Sequence, residues 1–312
     1  MVGNEVVLRD KTYIRLDNGM LFNVTGYEHA PGRVFGSLKY VRGKKWTAGY
    51  DVASRFLSTA EPELIDENGY ISIPAGRIAS VYDPQVRWTE LQRNTQAISA
   101  LQCEALELGN ALRQILRIPK SDDGLRDSEF GITDSLLWGE GGPHSDIDLV
   151  VVGRENADRV FAHAPSIYAH DGFQRPDPMQ MAAPYGLRVP NWPQILSRKL
   201  HMGSFRNRLF SLRAVLRECE IEPPKNWQAA VRPRVELDFR VCDRRDSLFF
   251  PAVYRNETGD ELVDYSVAYE GVFCVGDTVR CECEHLQNWE GKSPPRNRFV
   301  LHRVVRFASS HS

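Results

Sequence analysis

Two aspartates one residue apart, Asp146 and Asp148, open an apolar run that ends at Val152. In an extended strand successive side chains point to opposite faces, so both carboxylates lie on one face while Ile147 and Leu149 lie on the other. Carboxylates held close together repel each other unless a cation lies between them. Oxygen ligands of this kind suit Mg²⁺ or Mn²⁺, which neutralise a phosphate chain under attack. The pair therefore predicts a metal-dependent phosphoryl- or nucleotidyl-transfer site.

A turn rich in small residues precedes the two acids. Ser135 lies eleven residues before Asp146, and His144 and Ser145 lead directly into the acid pair. This arrangement resembles the polymerase-beta-type nucleotidyltransferase superfamily, in which a Gly-Ser turn precedes an acid-x-acid strand and a third acid comes later. The resemblance covers roughly the central third of the chain. The whole layout is similar to uncharacterised archaeal-type members with an extra N-terminal β region.

The resemblance implies a set of site residues. Three acids would hold two Mg²⁺ or Mn²⁺ ions, with a nucleoside triphosphate (NTP) as substrate. Asp146 and Asp148 would bridge the metals, and the third acid would be Asp238 or, on the same strand face, Glu236. Asp238 would also accept the proton of the attacking hydroxyl. Gly131, Ser135 and Ser145 would hold the nucleotide. Lys199 or Arg198 would neutralise the charge that develops on the leaving group.

One residue departs from the superfamily pattern. Asp134 stands where the superfamily has the glycine that precedes the serine. A glycine there lets backbone amides approach the phosphates closely, whereas a carboxylate would repel them. Either the Asp134 side chain turns away, for example to cap the next helix, or nucleotide binding is weakened.

A stretch after the motif carries positive charge only. Residues 188–217 contain seven basic side chains and no acidic one, although the formal net charge of the chain is −2. Beside a site for an anionic ligand, such a stretch predicts phosphate contacts. The alternative is a basic face whose charge is balanced by acids elsewhere in the fold. Together with the basic Gly43-Lys44-Lys45 loop, the stretch favours a polyanionic acceptor, RNA.

Hydrophobic periodicity indicates the elements that position these residues. Residues 1–82 hold short β-type runs separated by turns, and Asp17-Asn18-Gly19 is a hairpin signal. Residues 83–120 begin with a helix cap and carry a helical apolar seam, which predicts one long bridging helix. Residues 121–246 would form the catalytic domain. Within it both helical and strand periods fit 205–216, and the alternating run 235–241 would be a strand beside the Asp146 strand.

Residues 247–312 are again β-rich, so the predicted fold class is α+β. We expect a nucleotidyltransferase-like mixed β-sheet with helices, flanked by small β-rich domains at both ends. A length of 312 residues accommodates such an arrangement. The sequence has no apolar run of membrane-spanning length and no signal-peptide pattern, so we expect a cytoplasmic protein without a membrane partner. The six cysteines lack the spacing of disulfide frameworks or paired zinc knuckles, which favours free thiols.

These patterns lead to three hypotheses about function. The leading one is a metal-dependent nucleotidyltransferase that moves a nucleoside monophosphate from an NTP to a hydroxyl of RNA. The second keeps this chemistry but modifies a protein or a small molecule. The third is a catalytically degenerate module that binds nucleic acid or a partner, and Asp134 is its best support.

Overall fold

The computed structural model describes residues 8–94, 99–118, 129–139, 141–142, 144–175, 177, 192–222, 234–288 and 296–308. Across these ranges the chain is a mixed α/β protein with five α-helices and three β-sheets. The sheets succeed one another along the chain, and we call them the N-terminal, central and C-terminal sheets. Strands are present toward both ends of the chain, and the N-terminal part also contains an α-helix.

The N-terminal sheet has the strand order β4-β3-β2-β1-β6, and β5 pairs with β3. Its strands are β1 (Tyr13–Leu16), β2 (Leu21–Val24), β3 (Arg33–Val41), β4 (Lys44–Lys45), β5 (Ser72–Pro74) and β6 (Ile78–Tyr82), and helix α1 (Tyr50–Ala60) lies between β4 and β5. The predicted hairpin joins β1 to β2, with Gly19 at the left-handed φ of +81° that its turn requires.

Two helices, not one, come after the N-terminal sheet: α2 (Pro84–Arg93) and α3 (Ala100–Ile115). The prediction of one helix across 83–120 was wrong because the sequence starts a helix twice. The Asp83 carboxylate caps α2, and Ser99 forms a capping box with Gln102 that begins α3. The helices pack closely, since a Cβ on Gly109 of α3 would lie 2.3 Å from the ring of Trp88 of α2.

The central sheet has the strand order β7-β8-β11-β10-β9. Its strands are β7 (Phe130–Ile132), β8 (Ile147–Val152), β9 (Phe173–Gln174), β10 (Met202–Phe205) and β11 (Arg208–Val215). Helices α4 (Arg154–Ile167) and α5 (Trp192–Arg198) lie between β8 and β10 in the sequence. Strands β8 and β11 run parallel, and apolar residues of both strands, of α3 and of α4 share one buried core. The ambiguous segment 205–216 is therefore mainly strand.

The C-terminal sheet has the strand order β12-β15-β16-β14-β13. Its strands are β12 (Val235–Arg240), β13 (Ala252–Arg255), β14 (Glu261–Asp264), β15 (Thr278–Asn288) and β16 (Arg296–Ala308). Strand β12 corresponds to the alternating run 235–241, which the sequence pattern placed beside the Asp146 strand. This placement was wrong. Strand β12 pairs antiparallel with β15, whereas β8 lies between β7 and β11.

Candidate functional site

The acid pair and the serine turn lie side by side in the structure. Strands β7 and β8 pair antiparallel, and the Thr133 amide donates a 2.9 Å hydrogen bond to the Asp148 carbonyl. This bond places the turn Asp134–Leu136 against the first residues of β8. Ser135 is half-buried in that turn, Asp148 is half-buried on the strand, and Asp146 is exposed just before it.

Asp148 is the most perturbed carboxyl group of the site. Burial, and then the negative charges of Asp134 and Asp146, raise its pKa to about 7, although Ser211 and Arg213 act in the opposite direction. The Ser211 hydroxyl donates a 2.5 Å hydrogen bond to Asp148 Oδ1. Raised carboxyl pKa values of this kind accompany sites where like charges converge, and a bound cation would relieve the repulsion.

The neighbouring strand β11 supplies a hydroxyl and a cation to this face, not a third acid. Ser211 lies opposite Asp148 in the parallel register. Arg213, two residues further along, forms a buried ion pair with Glu270, which lies between β14 and β15. Among the residues that the structure describes, no group of three or more Asp, Glu, His or Cys side chains is arranged to hold a metal ion.

Asp134 does not cap a helix, and its side chain points to the N-terminal sheet. The N-cap residue is Thr133, and the element after it is a single 3₁₀ turn. A helix N-terminus of the kind expected to bind phosphate is therefore missing at this turn. The Tyr13 hydroxyl donates a hydrogen bond to Asp134 Oδ1, and Lys39 Nζ lies 3.9 Å from the same oxygen.

Positive charge surrounds the Asp134 carboxylate. Burial by itself raises the pKa of Asp134, but the charge of Lys39, the hydrogen bond from Tyr13 and the charges of Lys11 and Arg213 outweigh burial, and the pKa is lowered. The Asp134 carboxylate is consequently ionised at neutral pH. Its charge in turn contributes to the raised pKa of Asp148.

Aromatic packing fixes the turn on the N-terminal sheet. The Trp138 ring lies 4.5 Å from the Tyr13 ring and 5.3 Å from the Tyr40 ring, centroid to centroid. Leu137 is buried in the same cluster. Trp138 is thus a packing residue, and the candidate site is built where the central sheet meets β1 and β3.

Glu236 and Asp238 do not belong to this site, which corrects the predicted third metal ligand. Both lie on the exposed face of β12, while Phe239 on the other face is buried. The Glu236 carboxylate pairs with Arg280 of β15, and Asp238 lies opposite Arg280 in the antiparallel register. The predicted alternation along β12 is confirmed, but its acidic face belongs to a different sheet.

Arg198 and Lys199 are both bound by the C-terminal part of the chain, so neither takes the predicted place at the leaving group. Arg198 forms an ion pair with the buried Asp277. Lys199 is 3% exposed, and its Nζ donates a 2.8 Å hydrogen bond to the Val267 carbonyl. Burial, followed by the positive charge of Arg213, lowers the pKa of Lys199 to about 7.

The other two predicted nucleotide-binding residues have structural roles. A Cβ on Gly131 would lie 2.7 Å from Pro84 and from Val150, so Gly131 allows α2 to pack on the central sheet. Ser145 closes the turn before the acids: its Oγ accepts a 2.9 Å hydrogen bond from the Gly142 amide. Ser145 therefore helps to position Asp146 through the backbone.

The basic stretch 188–217 is balanced by acids of the same chain. Its described arginines pair with acids outside the stretch: Arg198 with Asp277, Arg206 with Glu107, Arg208 with Glu104, Arg213 with Glu270 and Arg217 with Glu220. Arg188 lies outside the described residues. The structure thus favours the alternative interpretation of the stretch, in which acids elsewhere in the fold offset its charge.

Sequence reasoning missed Tyr13, Lys39 and Ser211. Tyr13 and Asp134 are 121 positions apart, and Ser211 and Asp148 are 63 apart. Each contact depends on which strands become neighbours. Local patterns do not report such pairings.

No protein family, curated protein or solved structure matches the chain. In the described part of the chain, every helix is too short or too polar to cross a membrane.

Proposed function

We propose that this protein is a divalent-cation-dependent nucleotidyltransferase that moves a nucleoside monophosphate from an NTP to a hydroxyl acceptor. One observation carries the proposal: the serine turn and the acid pair are hydrogen-bonded neighbours, through the 2.9 Å bond from the Thr133 amide to the Asp148 carbonyl. A phosphate chain at Ser135 would therefore lie next to a cation at Asp146 and Asp148.

The donor set fits Mg²⁺ or Mn²⁺. Asp146 and Asp148 offer carboxylate oxygens, and the Ser211 hydroxyl adds an oxygen beside Asp148. Mg²⁺ commonly uses only one or two carboxylates and completes its shell with water and substrate phosphates. When bound, the ion would neutralise the charge that develops on the phosphates. A hydroxyl instead of a third acid on β11 is compatible with such a shell.

Residues of the chain have separate tasks in this proposal. Asp148 would hold the cation, and Ser211 keeps its carboxylate oriented through the 2.5 Å hydrogen bond. Ser135 would contact the phosphates. The pair of Arg213 with Glu270 fixes β11 to the C-terminal part of the chain. The positive charge of Arg213 also counteracts the repulsion among the carboxylates.

RNA stays a proposed acceptor with less support than the sequence suggested. Most of its support came from the stretch 188–217, whose described arginines are paired with acids. The hairpin tip Arg42–Lys45 is a further basic feature, and it is exposed on the N-terminal sheet. A protein or small-molecule hydroxyl is the alternative acceptor.

A second candidate function is binding of a metal–nucleotide complex without transfer. Ser211 favours it, because the strand beside the acid pair carries a hydroxyl where the superfamily chemistry needs a carboxylate. Without that acid, no side chain of β11 can accept the proton of an attacking hydroxyl at this position.

The test is a label-transfer assay with the full chain. Each of the four α-labelled NTPs is incubated with Mg²⁺ or Mn²⁺ and with total RNA, total protein or a small-molecule fraction, while NTP binding is measured in parallel. Asp148→Ala is the site variant, and Asp238→Ala is a matched control from the other acid pair. Metal-dependent transfer lost only in Asp148→Ala supports the transferase. Binding without transfer supports the second candidate, and absence of metal-dependent binding contradicts both.

A further inference from the structure

The hydroxyl and the ammonium group that face the serine turn already have an anionic neighbour, and it is a side chain of the protein itself. The carboxylate of Asp134 accepts a hydrogen bond from the Tyr13 hydroxyl and lies 3.9 Å from Lys39 Nζ. Both partners come from the N-terminal sheet, Tyr13 from β1 and Lys39 from β3. The two donors would serve a phosphate oxygen as well as a carboxylate oxygen.

The backbone at Asp134 is unusual for a residue with a side chain. Its φ is +51°, a region that favours glycine and that aspartate tolerates better than most other residues. Hydrogen bonding of the carboxylate by Tyr13 helps to hold the residue in this conformation. An aspartate at this position thus retains the backbone of a glycine turn while it adds a negative charge.

Lys39 is the least committed cation that acts on Asp134. The pKa of the Asp134 carboxyl group is lowered by the charges of Lys39, Lys11 and Arg213. Lys11 Nζ lies 3.0 Å from Asp10, and Arg213 is paired with Glu270. Lys39 keeps 36% of its side chain exposed, and a separation of 3.9 Å is too long for a hydrogen bond. Lys39 is therefore the cation that a ligand can most readily take over from Asp134.

We propose that Tyr13 and Lys39 form a phosphate-binding cradle, and that Asp134 occupies this cradle in the nucleotide-free protein as a built-in competitor. The inference rests on the proposed function, since the cradle adjoins the same turn and acid pair. Phosphate binding would displace the Asp134 carboxylate and free Lys39 and the Tyr13 hydroxyl. The site would then bind nucleotide more weakly than it would without the Asp134 carboxylate.

Binding measurements on four variants test this inference. Asp134→Gly and Asp134→Asn both remove the charge and keep a residue that tolerates positive φ, and we expect each to tighten binding of Mg·ATP by roughly three- to tenfold. Lys39→Ala is expected to weaken binding by a similar factor. Arg55→Ala removes an exposed cation of helix α1 and is the matched control, which should leave binding unchanged.

A double variant makes the competition explicit. In Asp134→Gly, Lys39 loses its internal competitor for the ligand, so adding Lys39→Ala should weaken Mg·ATP binding by a larger factor than it does in the wild type. Inorganic tripolyphosphate is the second probe, because a phosphate cradle should show the same order of affinities without a base or sugar. Thermal melts confirm that every variant is folded.

The outcomes separate this inference from the proposed function. If the wild type binds Mg·ATP through Asp148, but Asp134→Asn and Asp134→Gly bind no more tightly and Lys39→Ala binds as well, the cradle is wrong and the proposed site survives. If neither the wild type nor Asp134→Gly binds Mg·ATP or tripolyphosphate, both ideas fail. Binding that becomes measurable only in Asp134→Gly and Asp134→Asn supports the competitor most directly.

Discussion

Two of the chain's acid-x-acid pairs, Asp146 with Asp148 and Glu236 with Asp238, lie in opposite environments in the structure. Asp146 and Asp148 lie beside a turn that contacts the N-terminal sheet, and the pKa of Asp148 is raised to about 7 by burial and by its acidic neighbours. Glu236 and Asp238 lie on an exposed face of the C-terminal sheet, where Arg280 pairs with Glu236. Within each pair, the two acidic side chains point to the same side of the extended chain, as their spacing requires.

The difference teaches that the strand beside an acid pair decides its chemistry. Strand β11 presents Ser211, a neutral hydrogen-bond donor, to Asp148. Strand β15 places Arg280 opposite Asp238 and Glu282 opposite Glu236, and the Arg280 side chain reaches across to pair with Glu236. An acid pair beside a neutral donor is suited to bind a cation, whereas an exposed acid pair beside an arginine forms cross-strand ion pairs at the surface. We expect the largest difference between the two environments in the free energy of unfolding.

Removing Arg213 should destabilise the protein strongly, whereas removing Arg280 should not. Arg213 and Glu270 are buried partners, with 14% and 4% of their side chains exposed. Arg213→Ala leaves Glu270 buried without its partner and is expected to cost about 3–5 kcal/mol of unfolding free energy. Arg280→Ala removes an exposed pair and should cost less than about 1 kcal/mol. Urea denaturation measures both, and equal losses would contradict the contrast.

The two acid pairs should differ in Mn²⁺ binding. Asp148→Asn removes a carboxylate from the proposed cation site, and we expect an affinity loss of roughly 100-fold, since ligand charge sets the strength of such sites. Asp238→Asn is the matched change on β12 and should leave the affinity unaltered. Electron paramagnetic resonance of free Mn²⁺ reports the binding. A comparable loss in Asp238→Asn would show that the distinction between the strands is incorrect.

Placing an acid on β11 should sharpen the contrast further. Ser211→Asp adds a carboxylate opposite Asp148, and we expect about tenfold tighter Mn²⁺ binding. The additional repulsion should lower stability when no cation is present. Titration calorimetry and melts with and without Mn²⁺ measure the two effects. The isosteric control Ser211→Asn adds no charge, so a similar gain with asparagine would contradict the charge argument.

Stability should also depend on pH through the half-buried Asp148. Its folded pKa of about 7 lies above the unfolded value of about 4. The folded protein then retains a proton that the unfolded chain has lost, so this group's contribution to stability decreases from pH 4 to pH 7 and is constant above. Asp148→Asn should remove the decrease, and Asp238→Asn should not. The urea midpoints of the wild type and of both variants are measured from pH 4 to pH 7 without divalent cations. Parallel pH profiles for the wild type and Asp148→Asn would contradict the prediction.

Local patterns predicted much of the secondary structure. The hairpin at Asp17–Gly19 and the alternating faces of β8 and β12 are present. Such features depend on residues within one or two elements, where the turn type and the period of two act directly. Local residues also specify the end of α2 at Asn94 and the start of α3 at the Ser99 capping box. The apolar helical spacing that follows led to the prediction of one continuous helix.

Segment 205–216 marks the boundary of what periodicity can resolve. The apolar spacing of this segment suits both a helix and a strand. Most of the segment becomes strand because it pairs with β8, with Ser211 opposite Asp148 and Arg213 opposite Val150. Lys199 is a similar case. The sequence predicted Lys199 as a cation at the leaving group, whereas the fold buries its side chain against the Val267 carbonyl.

By itself the sequence determined that Asp146 and Asp148 share a face and that a small-residue turn precedes them, since both properties depend on chain geometry over a few residues. Only the tertiary structure decided that Ser211 lies beside the pair, that Asp238 lies in another sheet, and that Tyr13 and Lys39 reach Asp134. These contacts join positions as far apart as 121 residues. The pairing of strands from different parts of the chain creates them, and it depends on the burial of whole sheet faces.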